Sequence, residues 1–195
     1  DSQFHIFKEV TCDQVRLDVP ARAPEDIARV LRSCIKYSRP VYIEIPRDQF
    51  LKSCGKVVPL PAEVCDKEAL ADCVDDLLST LRKAQSPMLM VGVEVRRHDV
   101  EDLVAEIVRR LKIPVVTSFM GRGLLADTDA PLLGTYMGIA GDEKLTKQVE
   151  QSDKLFLLGV ILSDTNIGVS ERHIAKRNMI HVIDEHVKIG FREYS

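Results

Sequence analysis

A glycine-rich stretch in the second half of the chain has the spacing of a nucleotide-binding loop. Residues 121–126 read Gly-Arg-Gly-Leu-Leu-Ala, which matches the G-x-G-x-x-G/A pattern that brings backbone close to a dinucleotide pyrophosphate. That chemistry requires the loop to open a helix whose N-terminus faces the phosphates. Here Asp127, Asp129 and Pro131 interrupt at once. We therefore predict a tight irregular loop that binds no nicotinamide dinucleotide.

The side chains that could act as nucleophiles or metal ligands show no supporting pattern. Among five histidines, His181 lies within an apolar run and His186 follows it, and neither has a cysteine or carboxylate at zinc-ligand spacing. The serines lack a G-x-S-x-G setting, and the cysteines contain no C-x-x-C pair. These serines and cysteines are Ser118, Ser163, Ser170, Cys12, Cys34, Cys54, Cys65 and Cys73. The sequence predicts no catalytic residue and no metal site, and it predicts packing roles for Cys65 and Cys73.

Small and polar residues follow the apolar runs that we predict as strands. In open parallel sheets, ligands bind beyond the carboxyl ends of the strands. The residues there that could line such a crevice are Gly92, Ser118, Asp164, Asn166 and Asp184. Two alternatives stay open. Residues 164–166 could form an Asx-type turn, and Asp184 could cap the following segment instead of accepting a ribose hydroxyl.

One helix and one strand are predicted in the first fifty residues. Apolar residues recur at spacings of three and four over 24–38, which predicts an amphipathic helix with Pro24 in its first turn. That stripe consists of Ile27, Val30, Leu31, Cys34 and Ile35. Arg39-Pro40 ends the helix, and the alternating run at 41–45 is typical of a strand. Residues 51–63 show little periodicity, so we predict an exposed linker there.

Beyond the linker, helices and short apolar strands alternate. Helical periodicity covers 66–81, with Asp66 as a predicted N-cap, then 100–111 and, more weakly, 142–151. The predicted strands are apolar on both faces and lie at 88–91, 113–117, 155–159 and 180–184. Such strands need cover on both sides, which right-handed crossover helices supply. We predict an α/β fold with a doubly wound, mostly parallel sheet and helices on both faces.

Composition excludes several functional classes. The net charge is −3 without a long basic run, which argues against a nucleic-acid partner. No apolar run has the length needed to cross a bilayer, so no membrane partner is predicted. An odd number of cysteines without metal spacing fits a reducing, cytoplasmic setting. Because the chain begins at Asp1 and is long enough for about one and a half domains, we expect a fragment.

Several segments, read together, resemble the thiamine-diphosphate-dependent 2-oxo-acid decarboxylases. The run 40–48 resembles the strand and turn that close the pyrimidine-binding domain of that family. Later segments resemble successive loops of its Rossmann-like central domain, at 91–94, 117–123, 134–138, 158–164 and 183–184. Residues 159–166 are most similar to the phenylpyruvate and indolepyruvate decarboxylases. The resemblance spans essentially the whole chain. It implies the C-terminal end of a pyrimidine-binding domain at 1–50 and an incomplete central α/β domain at 64–195.

The resemblance also implies where the chemistry lies. In that family, thiamine diphosphate and magnesium sit between pyrimidine- and diphosphate-binding domains of different subunits, and the cofactor acts as an electron sink. The family's activating glutamate, histidine pair and magnesium motif do not map onto this chain. Gly141-Asp142-Glu143 with Asn166 is similar to the family's Gly-Asp-Gly…Asn magnesium motif, but Glu143 replaces the second glycine and a predicted helix follows. We therefore expect Asp142 to cap that helix, and we expect no cofactor bound to this chain.

The leading hypothesis is a piece of a cytoplasmic enzyme that converts an aromatic 2-oxo acid, of the phenylpyruvate or indolepyruvate type, to an aldehyde and carbon dioxide. The piece itself would be structural or regulatory. Its expected partners are the missing pyrimidine- and diphosphate-binding domains, within a homodimer or homotetramer. The alternatives are an acetolactate-synthase-like carboligase and a stand-alone nucleotide-binding module, whose ligand would contact Gly92, Ser118, Asp164 and Asp184.

Overall fold

The computed structural model describes residues 2–60, 66–167 and 173–195. The chain divides into two compact units, Asp1–Val64 and Cys65–Ser195. Linker positions 61–63, Cys65 and Ser170 lie outside the described residues, so their predicted roles are not tested. No helix in the described ranges is long and apolar enough to cross a membrane.

The first unit packs helices against a pair of parallel strands. Its elements are α1 (Ser2–Lys8), β1 (Asp13–Arg16), α2 (Ala23–Tyr37) and β2 (Val41–Glu44). Strands β1 and β2 pair in parallel. Val15, Leu17 and Val30 contribute to a small core between the strands and α2. Helix α2 and strand β2 confirm the predicted helix and strand, whereas α1 and β1 were not predicted.

The apolar stripe predicted for α2 is buried only in part. Val30 is fully buried, but Leu31 and Ile35 are 40% and 65% exposed. The periodicity correctly predicted the helix, yet it did not predict which apolar side chains this unit covers. Residues 51–60 are exposed and contain no helix or strand.

The second unit is built on a seven-stranded sheet in the order β5-β4-β3-β6-β7-β8-β9. The strands are β3 (Pro87–Val91), β4 (Val115–Thr117), β5 (Leu132–Thr135), β6 (Lys154–Leu158), β7 (Met179–Ile183), β8 (His186–Ile189) and β9 (Arg192–Tyr194). Strands β5 to β7 pair in parallel, and β8 and β9 add an antiparallel extension. This confirms the predicted mostly parallel α/β sheet.

Two of the helices of this unit begin at the predicted caps. The helices are α3 (Lys67–Lys83), α4 (Glu94–Arg97), α5 (Glu101–Leu111), α6 (Glu143–Glu150) and α7 (Asp164–Ile167). The Asp66 carboxylate accepts hydrogen bonds from the first-turn backbone of α3. Asp142 accepts from the Leu145 N–H at 2.7 Å. Both carboxylates therefore satisfy N–H groups that a helix leaves without intrahelical partners.

The central strands bury side chains on both faces of the sheet. In β3, Leu89 packs in one core that includes Val104 and Val108 of α5. Met90 points into a second core that includes Val149 of α6. Side chains alternate along a strand, so adjacent residues serve opposite faces. The two cores account for the continuous apolar runs in the sequence and make the sheet doubly wound.

An acidic residue fastens the start of β3 to the start of β6. Asp153 accepts hydrogen bonds from the backbone N–H groups of Gln85 at 2.6 Å and Ser86 at 2.9 Å. These bonds stabilise the charged carboxylate and hold the pKa of Asp153 below its usual range. The contact joins neighbouring strands that are far apart in sequence.

A second carboxylate secures the antiparallel extension. Asp76 of α3 accepts hydrogen bonds from the Tyr194 hydroxyl at 2.7 Å and from Arg192 Nη1 at 2.8 Å. The two bonds lower the pKa of Asp76, and the bond to Asp76 raises the pKa of Tyr194. Burial, with Asp76 nearby, raises the pKa of the Cys73 thiol. Cys73 is buried as predicted, and its raised pKa fits a packing role instead of a nucleophilic one.

Helices α3 and α5 each leave part of their apolar surface open. On α5, Leu103, Ile107 and Leu111 repeat every four residues and are 60%, 46% and 42% exposed. On α3, Leu70 and Val74 are likewise exposed. The predicted stripes are therefore wider than the core that covers them within this unit.

Candidate functional site

The order of the strands defines a crossover point in the sheet. Strands β4 and β5 lie on one side of β3, whereas β6 and β7 lie on its other side. Ligands of open α/β sheets bind beyond the carboxyl ends of the strands at such a reversal. Gly92 follows β3 there, and Gly159 follows β6.

Gly92 and Gly159 bring these two strand ends into direct contact. A Cβ atom on Gly92 would lie 2.1 Å from the Gly159 carbonyl oxygen, closer than any side chain can approach. Gly159 has a φ of +61°, and a Cβ there would lie 2.9 Å from Glu94 Cβ. Backbone atoms therefore occupy the space between the two strand ends.

Ser118 and Asn166 make contacts within the loops at this edge. Ser118 is fully buried, and its Oγ accepts a hydrogen bond from the Gly121 N–H at 3.2 Å. Asn166 is also fully buried. Its Oδ1 accepts from the Met120 N–H at 3.0 Å, and its Nδ2 donates to the Ile161 carbonyl at 2.8 Å. Asn166 thus joins the loops that follow β4 and β6.

Helix α4 carries side chains across the end of β6 toward β7. The Glu94 N–H donates to the Gly159 carbonyl at 3.2 Å, and the Gly159 N–H donates to the Val182 carbonyl at 2.8 Å. This chain of contacts places Glu94 and His98 beside Asp184, and one ligand atom of each lies within 4.8 Å of the others. Sequence reasoning selected Asp184 but missed Glu94 and His98. Their i, i+4 spacing was the available signal, although it does not by itself locate the third residue.

Asp164 is not part of this group and lines a cavity of about 240 Å³. It begins the short helix α7, so residues 164–166 form a helical turn and not the alternative Asx-type turn. His181 lines the same cavity, and its Nε2 lies 2.7 Å from the Val160 carbonyl oxygen. The structure thus groups Asp184 with Glu94 and His98, and Asp164 with His181. A ligand crevice spanning the five predicted residues stays a prediction.

Neither apparent cofactor motif forms the structure that its chemistry requires. Residues 121–127 form consecutive turns that lead to no helix, as predicted from the interrupting residues. In the second motif, Asp142 caps α6 and both amide atoms of Asn166 bind backbone. Asp142 Oδ1 and Asn166 Oδ1 both accept backbone hydrogen bonds of the local structure, so the motif does not fit a magnesium ion with thiamine diphosphate.

Comparison with known proteins identifies the second unit. Residues 74–193 match the family model described as "Thiamine pyrophosphate enzyme, central domain". An indole-3-pyruvate decarboxylase of Azospirillum brasilense is 54% identical over 195 residues, covering 100% of this chain and 36% of that protein.

More distant relatives extend the match. A pyruvate decarboxylase of Aspergillus terreus is 28% identical over 100% of this chain and 36% of that protein. Pyruvate decarboxylase isozyme 2 of Saccharomyces cerevisiae is 27% identical over 87% of this chain and 31% of that protein. The chain spans about a third of the length of these relatives. With its mostly parallel sheet and the family match over more than half its length, the chain belongs to the thiamine pyrophosphate enzymes and carries their central domain.

Proposed function

We propose that the whole protein to which this chain belongs is a thiamine-diphosphate-dependent decarboxylase of an aromatic 2-oxo acid. It would release an aldehyde and carbon dioxide from a substrate of the indolepyruvate or phenylpyruvate type. The observation that carries this proposal is the 54% identity to an indole-3-pyruvate decarboxylase along the entire chain. The similar pyruvate decarboxylases are only 25–30% identical. The named relatives are decarboxylases, which favours decarboxylation over the carboligase alternative.

The part played by this chain would be structural or regulatory. Asp142 and Asn166 are engaged with backbone groups, and the family's catalytic glutamate and histidine pair have no counterparts in the sequence. Thiamine diphosphate and magnesium would therefore bind to pyrimidine- and diphosphate-binding domains elsewhere in the protein, together with the 2-oxo acid. The chemistry supplied by that cofactor is stabilisation of the carbanion left by decarboxylation.

Assembly with further protein would cover the open helix faces. Leu103, Ile107 and Leu111 present an apolar stripe on α5, and such surfaces mark protein contacts when they cluster. We expect the whole protein to form a homodimer or homotetramer. The free cysteines of this chain fit a cytoplasmic location, because the cytoplasm keeps thiols reduced.

Steady-state kinetics on the whole protein test the proposal. With thiamine diphosphate and magnesium present, kcat/KM for indolepyruvate or phenylpyruvate should exceed that for pyruvate at least tenfold. A pyruvate decarboxylase assayed in parallel should show the reverse order. Preference for pyruvate, or a carbon–carbon ligation product as the main product, would refute the assignment.

Titrations of the 195-residue chain test the location of the chemistry. Calorimetry should detect no binding of thiamine diphosphate with magnesium, and tight binding would contradict the proposed division of roles. A thermal-shift screen with ADP, FAD and NAD addresses the predicted crevice, because a ligand of the native state raises its stability. Stabilisation that is lost on changing Asp184 would favour the nucleotide-binding alternative.

A further inference from the structure

We propose that Glu94, His98 and Asp184 form a binding site for a divalent transition-metal ion, with Zn²⁺ as the preferred occupant. One ligand atom of each side chain lies within 4.8 Å of the other two. Glu94 Oε2 and His98 Nε2 are 3.6 Å apart. Ligands of tetrahedral zinc with bonds of about 2.0 Å are about 3.3 Å apart. Small side-chain rotations would therefore bring the three atoms to bonding distance.

The burial of Glu94 is an independent indication of a missing partner. The residue is only 5% exposed. Its Oε1 pairs with the guanidinium of Arg97, whereas Oε2 is buried and has no hydrogen-bond partner among the residues that the structure describes. A buried carboxylate oxygen left in this state is costly. Oε2 is also the atom that faces His98, so a cation between the two side chains would satisfy it.

The types of donor select the class of ion. Magnesium and calcium prefer sites made of oxygen atoms, whereas an imidazole nitrogen suits zinc and its first-row neighbours. Two carboxylates offset by Arg97 leave one net negative charge beside the imidazole. Three protein ligands would leave a fourth tetrahedral position for water.

The metal ion would connect helix α4 to the turn between β7 and β8. Glu94 and His98 belong to α4 and the residue after it, while Asp184 begins the turn between β7 and β8. That turn holds Asp184 and Glu185 at φ values of +49° and +64°, a conformation that side chains rarely adopt. A metal bond to Asp184 would stabilise the turn, and it would do so only in the folded state.

Calorimetric titration of the metal-free 195-residue chain with zinc chloride tests the proposal. We expect one zinc ion per chain with a Kd in the micromolar range or tighter. His98→Ala and Asp184→Asn should each weaken binding at least tenfold. His186→Ala, in the neighbouring hairpin, is the matched control and should bind zinc as the original chain does. Zinc should raise the Tm of the original chain and of the control, but not of the two site variants.

Three results would overturn the proposal. Binding that is unchanged in both site variants would place zinc elsewhere, for example on cysteines. Absence of binding at millimolar zinc would exclude the site. If His98→Ala lowers the Tm equally with and without zinc, His98 serves only as an ionic partner of Glu94. Because the variants change partly exposed groups and not the buried Glu94, circular dichroism should confirm that they remain folded.

Discussion

Substitution of Asn166 by alanine should destabilise the second unit by about 2–4 kcal/mol. The change removes the acceptor of the Met120 N–H and the donor to the Ile161 carbonyl. Each backbone group left unpaired in a buried setting costs about 1–3 kcal/mol. Two such groups would cost about 2–6 kcal/mol together. The expected loss lies in the lower half of that range because Met120 is partly exposed, so water can reach its N–H in the variant.

Urea denaturation of the 195-residue chain measures this effect. With a slope of about 2 kcal/mol per molar urea, the midpoint should fall by about 1–2 M. Hydrogen exchange adds a local readout, since the Met120 amide should lose protection. Thr165→Ala is the control because Thr165 is exposed on the same helix, and it should change stability by less than about 0.5 kcal/mol.

An Asn166→Ala variant as stable as the control would contradict this role of Asn166. Continued protection of the Met120 amide would also contradict it, because another acceptor would then hold that loop. Either result would free Asn166 for a ligand role, which the sequence motif alone left open.

Three further predictions concern backbone contact, acid stability and assembly. Gly92→Ala should lower the free energy of unfolding by more than about 4 kcal/mol, because its Cβ would overlap backbone atoms. Gly190→Ala should lower it by only about 1–2 kcal/mol, because its Cβ would meet no described atom within 4 Å although φ is +61°. The urea midpoints of the two variants test this difference. Asp153 contributes stability above its unfolded pKa that is lost as the pH falls through its lower folded pKa, so Asp153→Asn should flatten the acid-side decline of the urea midpoint. Leu103→Gln with Ile107→Gln should leave the chain's stability within about 1 kcal/mol, since both are exposed, but should shift the whole protein toward smaller assemblies in analytical ultracentrifugation. An unchanged sedimentation profile would place the subunit contacts elsewhere.

The central strands could be predicted because their burial makes them continuously apolar. The run at 88–91 has cores on both faces, and that environment leaves a clear pattern in sequence. Strand β1 has no such pattern, since Asp13, Gln14 and Arg16 surround a single buried Val15. The β7–β8 turn was missed for another reason. Its two residues are Asp184 and Glu185, whereas two-residue hairpin turns are usually predicted from glycine or asparagine at these positions.

The grouping of side chains at the sheet edge depends on contacts that no local pattern encodes. Glu94 reaches Asp184 because α4 crosses the end of β6, and it can cross there because Gly159 has no side chain. The sequence indicates that Asp184 follows a strand, but it does not indicate that α4 crosses toward that strand. Sequence reasoning therefore selected Asp184 and not Glu94 or His98.

The same crossing explains why fold alone gives a poor guide to the ligand. In open α/β sheets, the reversal between neighbouring strands is ordinarily the place where a ligand enters. Here Gly92 and Gly159 fill it with backbone atoms, so polar side chains cluster further along the edge, beside β7. In a sheet of this topology, the order of strands can therefore stay the same while the group of polar side chains lies at the end of the next strand. The choice between a dinucleotide, a metal ion and no ligand is then made by side chains such as Glu94, and not by the topology.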